Sequence, residues 1–461
     1  MGSPSSSAAD RAQAQAERYL EDLVDLGSIP SVSTLPEHAG DMRRAAEWVC
    51  DRMRVLGFER VGVLPTEKHP VAYGEWQHAP GKPIVLVYGH YDVQPVDPLD
   101  QWASSPFEPA VRGDYLYGRG VSDMKAQLVA VLGALGLVAE AGGQGVNVKV
   151  LMEGEEEIGS PSLLSFCLKE RDRLGCDVIL NTDGGMLARD LPTLVVGLRG
   201  MAYFEVSLNG PDHDLHSGMF GGSLHNPAQV LCELIAGMHD SDGRVTLPGF
   251  YDKVRPLTAE TRSDMAWIPY SDEEWLTLTG APALHGESGY TTLERVGARP
   301  TLEVNGLVSG YTGDGPKTVL PASALAKISL RLVPDQDPVT VEEQLRAYLE
   351  RNAPPTVRWE TRTLASTLPV VMRRSGPWTK AAVSALKDTF GREPLFTLEG
   401  GSIPAVSVLG SALGAESVLM GYSLPDDNIH SPNERFYVPN LQRGVEAYVR
   451  FFENVGCGDG G

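Results

Sequence analysis

His90, Asp123, Glu157, Asp183 and His430 are two imidazoles and three carboxylates, a donor set able to hold divalent metal ions. Each sits where an α/β hydrolase presents such groups. His90 follows the apolar run 84–88, Glu157 closes the acidic segment 153–157 after the apolar run 146–151, and Asp183 follows the run 178–182. These three lie at or just past the end of a predicted strand, where open α/β sheets bind their ligands. Asp123 follows Gly-Arg-Gly-Val-Ser at 118–122, and His430 opens His-Ser-Pro-Asn-Glu at 430–434. The mix suits Zn²⁺ or Mn²⁺ and argues against iron–sulfur chemistry. Two such ions close together repel strongly, which calls for a shared anion between them. One carboxylate supplies two oxygens for that purpose, and each ion then needs about two further ligands and a shared water or hydroxide. Five side chains, one of them bridging, meet this requirement.

Glu156, directly before Glu157, is placed to act as a general base that takes the water's proton and passes it to a leaving amine. In extended backbone at a strand end, the two neighbours would face different sides. The plainer alternative for 155–157 is a solvated acidic run. Asp92, two residues after His90, either accepts the imidazole N–H or caps a turn.

A chain of 461 residues exceeds one ordinary core, so two domains are expected. Asp10 is expected to cap a first helix running through Tyr19 to Leu26, and a second helix carries Ala45 to Leu56 and ends at Gly57. From there strands at 84–88, 146–152 and 177–182 alternate with helices, one starting near Asp123. This pattern predicts a mainly parallel sheet covered on both faces. After 195–197 the pattern changes. An alternating strand at 201–208 precedes a helix opened by Asn226-Pro227. Strands at 302–308 and 325–333, a helix at 339–351 and an edge strand at 356–361 follow. Together they read as a small α+β unit of ferredoxin-like type. The metal-binding candidates bracket this unit, so it must be inserted. The expected division is 1–198 with 363–461 for the catalytic domain and 199–362 for the inserted one. The Gly-, Pro- and acid-rich region 240–300 reads as a long ordered excursion of the inserted domain.

Composition describes a soluble globular protein, with 42% hydrophobic and 21% charged residues. A net charge of −21 argues against nucleic acid and anionic membrane as partners. Cys50, Cys167, Cys176, Cys232 and Cys457 form no CxxC pair and are odd in number, which points to reduced thiols in the cytoplasm. No signal peptide and no membrane span are expected from the pattern. Met1-Gly2 followed by Ser6 resembles a myristoylation start, but no second membrane signal accompanies it.

Seven motifs carry a family resemblance. Gly-His-Tyr-Asp-Val-Gln-Pro (89–95), Gly-Arg-Gly-Val-Ser-Asp-Met-Lys (118–125), Glu-Gly-Glu-Glu-Glu-Ile-Gly-Ser (153–160) and Asp-Leu-His-Ser-Gly (214–218) are four of them. Arg-Leu-Val-Pro (331–334), Glu-Gly-Gly-Ser-Ile-Pro (399–404) and His-Ser-Pro-Asn-Glu (430–434) complete the set. In this order they resemble the co-catalytic zinc peptidases that include carnosinase and cytosolic nonspecific dipeptidase, within the aminoacylase/carboxypeptidase/dipeptidase superfamily. The resemblance implies a zinc-exopeptidase-like catalytic domain with an inserted lid and dimerisation domain. It implies that Asp123 bridges two ions, with His90 and Asp183 on one and Glu157 and His430 on the other. The Asp-Asp pair usual in close relatives is Asp123-Met124 here, at a peptide that is often cis in the family. Glu156 is implied as the base and Asp92 as the group orienting His90.

The resemblance also implies substrate contacts. Arg331 and Ser402 match positions that hold a substrate's C-terminal carboxylate, and free N–H groups around Gly401 suit an anion. A plain helix cap by Ser402 and a surface ion pair for Arg331 are the alternatives. Glu399 either pairs with a free substrate ammonium or forms a salt bridge within its turn. His216 and Thr318 match residues delivered across a homodimer, His216 to stabilise the tetrahedral oxyanion. Around 369–374, where carnosinase-like relatives carry a further substrate-binding His, this chain reads Pro-Val-Val-Met-Arg-Arg. His38, His69, His78, His213, His225, His239 and His285 lack motif support and are expected to be structural or exposed. The implied activity is a metal-dependent dipeptidase acting on small peptides with both ends free. An N-acyl-amino-acid or carbamoyl amidohydrolase on the same two metals is the alternative.

Overall fold

Ser7, rather than Asp10, caps the first helix. Its hydroxyl accepts the Asp10 N–H, and the Asp10 carboxylate reaches back to the Ser7 N–H, so the two residues share one capping box. The computed structural model describes residues 7–143 and 145–457. The Met1-Gly2 and Ser6 pattern lies outside the described residues.

The chain divides into two units, one of 7–196, 372–396 and 404–457 and the other of 197–371 and 397–403. The expected cut after 362 falls inside the strand Arg358–Thr367, which pairs with Gly200–Asn209 along its length. Residues 363–371 therefore stay with the second unit, and so does the short segment 397–403 that sequence periodicity could not separate.

In the first unit four strands run parallel in the order Asn147–Glu153, Ile84–His90, Val178–Asn181 and Glu416–Leu419. Antiparallel neighbours flank them: Glu59–Leu64 and Val71–Trp76 on one side, Thr193–Leu198 on the other. Asn147–Glu153 and Val178–Asn181 are buried throughout and Ile84–His90 almost so, as strands covered on both faces must be. The register sets His90 opposite Glu153 and Tyr88 opposite Asn181, which brings the carboxyl ends of three strands to one level. Ile84–His90 is longer than the expected 84–88, so His90 is itself the last residue of its strand.

Helix Ala126–Glu140 starts three residues later than Asp123. The intervening Val121–Lys125 forms a wider turn in which Asp123 and Met124 leave helical geometry. This run, Val121–Glu140, is long and apolar enough by length and composition to cross a membrane, but its place is the core, where it is 89% buried. It is apolar on all sides because the helix Pro439–Cys457, among others, packs on it.

The second unit contains a four-stranded antiparallel sheet in the order Thr301–Ser309, Ser323–Leu332, Gly200–Asn209 and Arg358–Thr367. Alternate residues of Gly200–Asn209 (Ala202, Phe204, Val206, Leu208) and of Ser323–Leu332 are buried. They form one core with Val230, Leu231 and Leu234 of helix Pro227–Ala236 and Val341, Leu345 and Leu349 of helix Pro338–Asn352. The excursion 240–300 contains three helices, Ala259–Trp267, Asp272–Thr279 and Thr292–Ala298.

Candidate metal centre

The strand ends of the first unit bring the five candidate ligands together. His90 Nε2 lies 3.1 Å from Asp123 Oδ1 and 3.9 Å from Asp183 Oδ2. His430 Nε2 lies 3.0 Å from Asp123 Oδ2 and 3.1 Å from Glu157 Oε2. Asp123 thus presents one oxygen to each histidine, with Asp183 on the His90 side and Glu157 on the His430 side. Two ligands of one ion at about 2.0–2.1 Å stand about 3.3 Å apart in tetrahedral geometry, so these separations fit a pair of ions sharing Asp123. The His90 side chain is fully buried, whereas that of His430 is 52% exposed and marks the open side of the cluster.

In the chain itself these charges hold one another. Burial opposes charge on His90, but hydrogen bonds to Asp123 and Asp92 outweigh it and raise its pKa well above the ordinary value. Bonds to Asp123 and Glu157 raise that of His430 to about 10. Burial would raise the pKa of Asp123, yet the two histidines pull it below the usual carboxylate range.

Glu156 and Glu157 are not in extended backbone. They open a single 3₁₀ turn, Glu156–Ile158, closed by Gly159 in the left-handed region at φ 85°. Successive side chains of such a turn point about a third of a revolution apart, so the two carboxylates still diverge. Burial pushes the Glu156 carboxyl well above its ordinary pKa, although His90 opposes the shift. Nor is 155–157 a solvated run. Glu155 is buried and accepts hydrogen bonds from Thr66 Oγ1, His69 N and Ser162 N, which clamps the turn.

Asp92 has two tasks. His90 Nδ1 lies 3.1 Å from its carbonyl oxygen and 3.4 Å from its carboxylate, while that carboxylate accepts the N–H groups of Glu156 and Glu157. Asp92 therefore sets the imidazole through its carbonyl, with its carboxylate close by, and the turn bearing Glu156 and Glu157 through its carboxylate. The Asp123-Met124 peptide is cis, and the buried Met124 sulfur lies 3.3 Å from the His90 N–H.

Two positioning groups have no role in the sequence reading. Glu434 is 1% exposed and accepts hydrogen bonds from Arg119 Nη1 and from the N–H groups of Gly120, Ser122 and Asp123. It ties the His430 loop to the Asp123 turn. Its signal was its place at the end of the 430–434 motif. Gln94 Nε2 donates to Glu157 Oε2 at 2.8 Å, leaving that carboxylate's orientation fixed.

A family model described as Peptidase family M20/M25/M40 matches residues 86–454. The chain belongs to this family. It is 30% identical to a Cys-Gly metallodipeptidase of Candida albicans over 94% of each chain. It is 31% identical to a β-Ala-His dipeptidase of Rattus norvegicus, over 92% of this chain and 89% of that one. Among solved structures, an M20 family metallo-carboxypeptidase of Sulfolobus solfataricus superposes with a TM-score of 0.85 at 31% identity, covering 95% of this chain and 99% of its own.

The M20 candidates outside the metal cluster lie in the second unit. Arg331 Nη1 donates to Ser402 Oγ at 3.0 Å, and Ser402 Oγ donates to the Arg199 carbonyl at 2.5 Å. Ser402 is therefore engaged with Arg331 and the Arg199 carbonyl, and Pro404 opens the helix Pro404–Leu413. Glu399 makes no salt bridge among the described residues, and burial raises its pKa to about 7. His216 stands opposite Val319 in a two-residue ribbon, with the Ser217 N–H bonded to the Thr318 carbonyl, so His216 and Thr318 are neighbours. Both are exposed in the single chain. His216 Nδ1 accepts the Gly218 N–H at 3.1 Å, which places the proton of the neutral ring on Nε2. The histidines without motif support are held locally or exposed: His38 bonds Asp41 and His69 bonds the Ser33 carbonyl.

Proposed function

We propose that this M20 chain is a two-metal dipeptidase that hydrolyses the peptide bond of dipeptides with free amino and carboxyl ends. The observation that carries the reading is the Asp123 carboxylate set between His90 and His430, with Asp183 and Glu157 completing a three-ligand set on each side. Zn²⁺ suits this donor set best and Mn²⁺ is the alternative. Divalent ions held there polarise a carbonyl and make water a better acid. Glu156 then accepts the attacking water's proton and delivers it to the leaving amine. Asp92 keeps His90 and the Glu156 turn in register with each other.

At the substrate's ends, Arg331, Ser402 and the N–H of Gly401 receive the C-terminal carboxylate, and Glu399 pairs with the free ammonium. An unpaired carboxylate with a raised pKa supports that role, since a cation brought beside it would restore its charge. Ala-Ala is expected to exceed its N-acetyl form in kcat/KM by at least about tenfold, the scale of one hydrogen bond to a charged group. Glu399→Gln should collapse that ratio. Faster hydrolysis of the N-acetyl form would favour the N-acyl-amino-acid amidohydrolase reading instead.

His216 and Thr318 serve the active site of a second copy, with the His216 Nε2 proton donated to the oxyanion that develops on attack. Their joint exposure in the single chain supports this arrangement. Mixing inactive Glu156→Gln with inactive His216→Ala subunits should then restore about a quarter of wild-type activity. Half of randomly formed dimers are mixed, and each of those regains one complete site. No recovery after subunit exchange would mean that each chain works alone. The five cysteines, all unpaired, support a reducing compartment such as the cytoplasm.

A further inference from the structure

The second unit contains a cavity of about 610 Å³ between the outer face of its sheet and the excursion 240–300. Its size is that of a small-molecule site. Four arginines and two glutamates line it, so the wall is net positive in a chain of net charge −21. One of the arginines is neutralised and another is partly engaged. Arg299 forms a bidentate pair with Glu287, and Arg295 donates to the carbonyls of Glu287 and His285.

Arg199 and Arg331, like Arg295, have no carboxylate partner among the described residues, and they are the two nearest Ser402. Arg199 is 9% exposed and donates from Nε to the Gly400 carbonyl and from Nη1 to the Arg299 carbonyl. Its Nη2 makes no hydrogen bond among the described residues. Arg331 uses only Nη1, toward Ser402. Burial and then the neighbouring Arg331 charge lower the pKa of Arg199 to about 10, and Glu303 opposes the shift. Glu303 on the edge strand is the one unpaired acid of the lining, and it is exposed. Guanidinium donors left unused beside a cavity suit an anionic ligand, and a carboxylate matches their planar fork.

We propose that this cavity receives an acidic side chain of the substrate's C-terminal residue, with Arg199 binding the second carboxylate while Arg331 and Ser402 hold the first. The inference rests on the dipeptidase reading above. It makes dipeptides ending in Glu or Asp the preferred class.

The test compares Ala-Glu, its near-isostere Ala-Gln, and Ala-Ala on the metal-loaded enzyme. Ala-Glu should exceed Ala-Gln in kcat/KM by at least about tenfold, the scale of a charge-assisted hydrogen bond. Arg199→Gln should bring the ratio near one. Should that variant fold poorly, Glu303→Gln, at an exposed position, should raise the ratio by removing the only unpaired negative charge of the lining. Hydrolysis of Ala-Ala and Ala-Gln with no preference for Ala-Glu overturns the acidic pocket alone. No hydrolysis of any of the three overturns the dipeptidase reading and the pocket with it. A ratio unmoved by both variants shows that any acid preference originates elsewhere and overturns the role of Arg199.

Discussion

Replacing Glu156 with Gln should leave both metal ions bound and lower kcat by about 10²- to 10⁴-fold, the range that a positioned general base contributes. The exchange is nearly isosteric and removes only the ability to accept a proton. The turn should survive it, because other groups hold it: Glu155 with its three donors and Asp92 with the N–H groups of Glu156 and Glu157. The metal cluster should survive too, since none of the four short His–carboxylate contacts involves Glu156. KM should change little, which separates a lost proton transfer from lost binding. Metal content measured beside kcat checks this. Full turnover in the variant removes Glu156 from the chemistry, and loss of metal makes it a ligand.

Asp123→Asn should have the opposite signature. Each Asp123 oxygen faces a different histidine, and Asn keeps one oxygen while aiming an N–H₂ group and no negative charge at the other. Both metal positions lose their shared anion, so the repulsion between two dications is no longer offset. The loss in metal affinity should exceed the roughly 10- to 100-fold that follows removal of a ligand's own hydrogen-bond partner. Activity should fall with metal content. Dialysis against a graded chelator series, with metal content and Ala-Ala hydrolysis read together, measures this. An Asn variant retaining two ions at wild-type affinity would refute the bridging role.

What the sequence allowed differed by residue for physical reasons. His90 and Asp183 were legible because the strands before them are apolar runs that stop at a polar residue. The antiparallel sheet of the second unit was legible from alternation along 201–208, because one face of that strand is buried and the other is not. Glu155 was not legible. Nothing in a run of acids says which carboxylate turns inward, and its donors come from Thr66, His69 and Ser162. Glu434 was quoted within a motif but its task depends on the Gly120, Ser122 and Asp123 amides, more than 300 residues away. The Ser7 and Asp10 capping box shows the same limit at short range, since both residues are good caps and only geometry chooses. The segment 397–403 joins the second unit because Ser402 is held by Arg331 and the Arg199 carbonyl, contacts that no periodicity records.

The central claim, a dipeptidase whose two metal positions share Asp123, is tested most directly by stepwise reconstitution. Metal-stripped protein is titrated with Zn²⁺, and in parallel with Mn²⁺, while bound metal and the hydrolysis of Ala-Ala are followed together. We expect no turnover in the stripped protein, and full turnover only as occupancy reaches two ions per chain. Undiminished hydrolysis without metal, or full activity at one ion per chain, would contradict it.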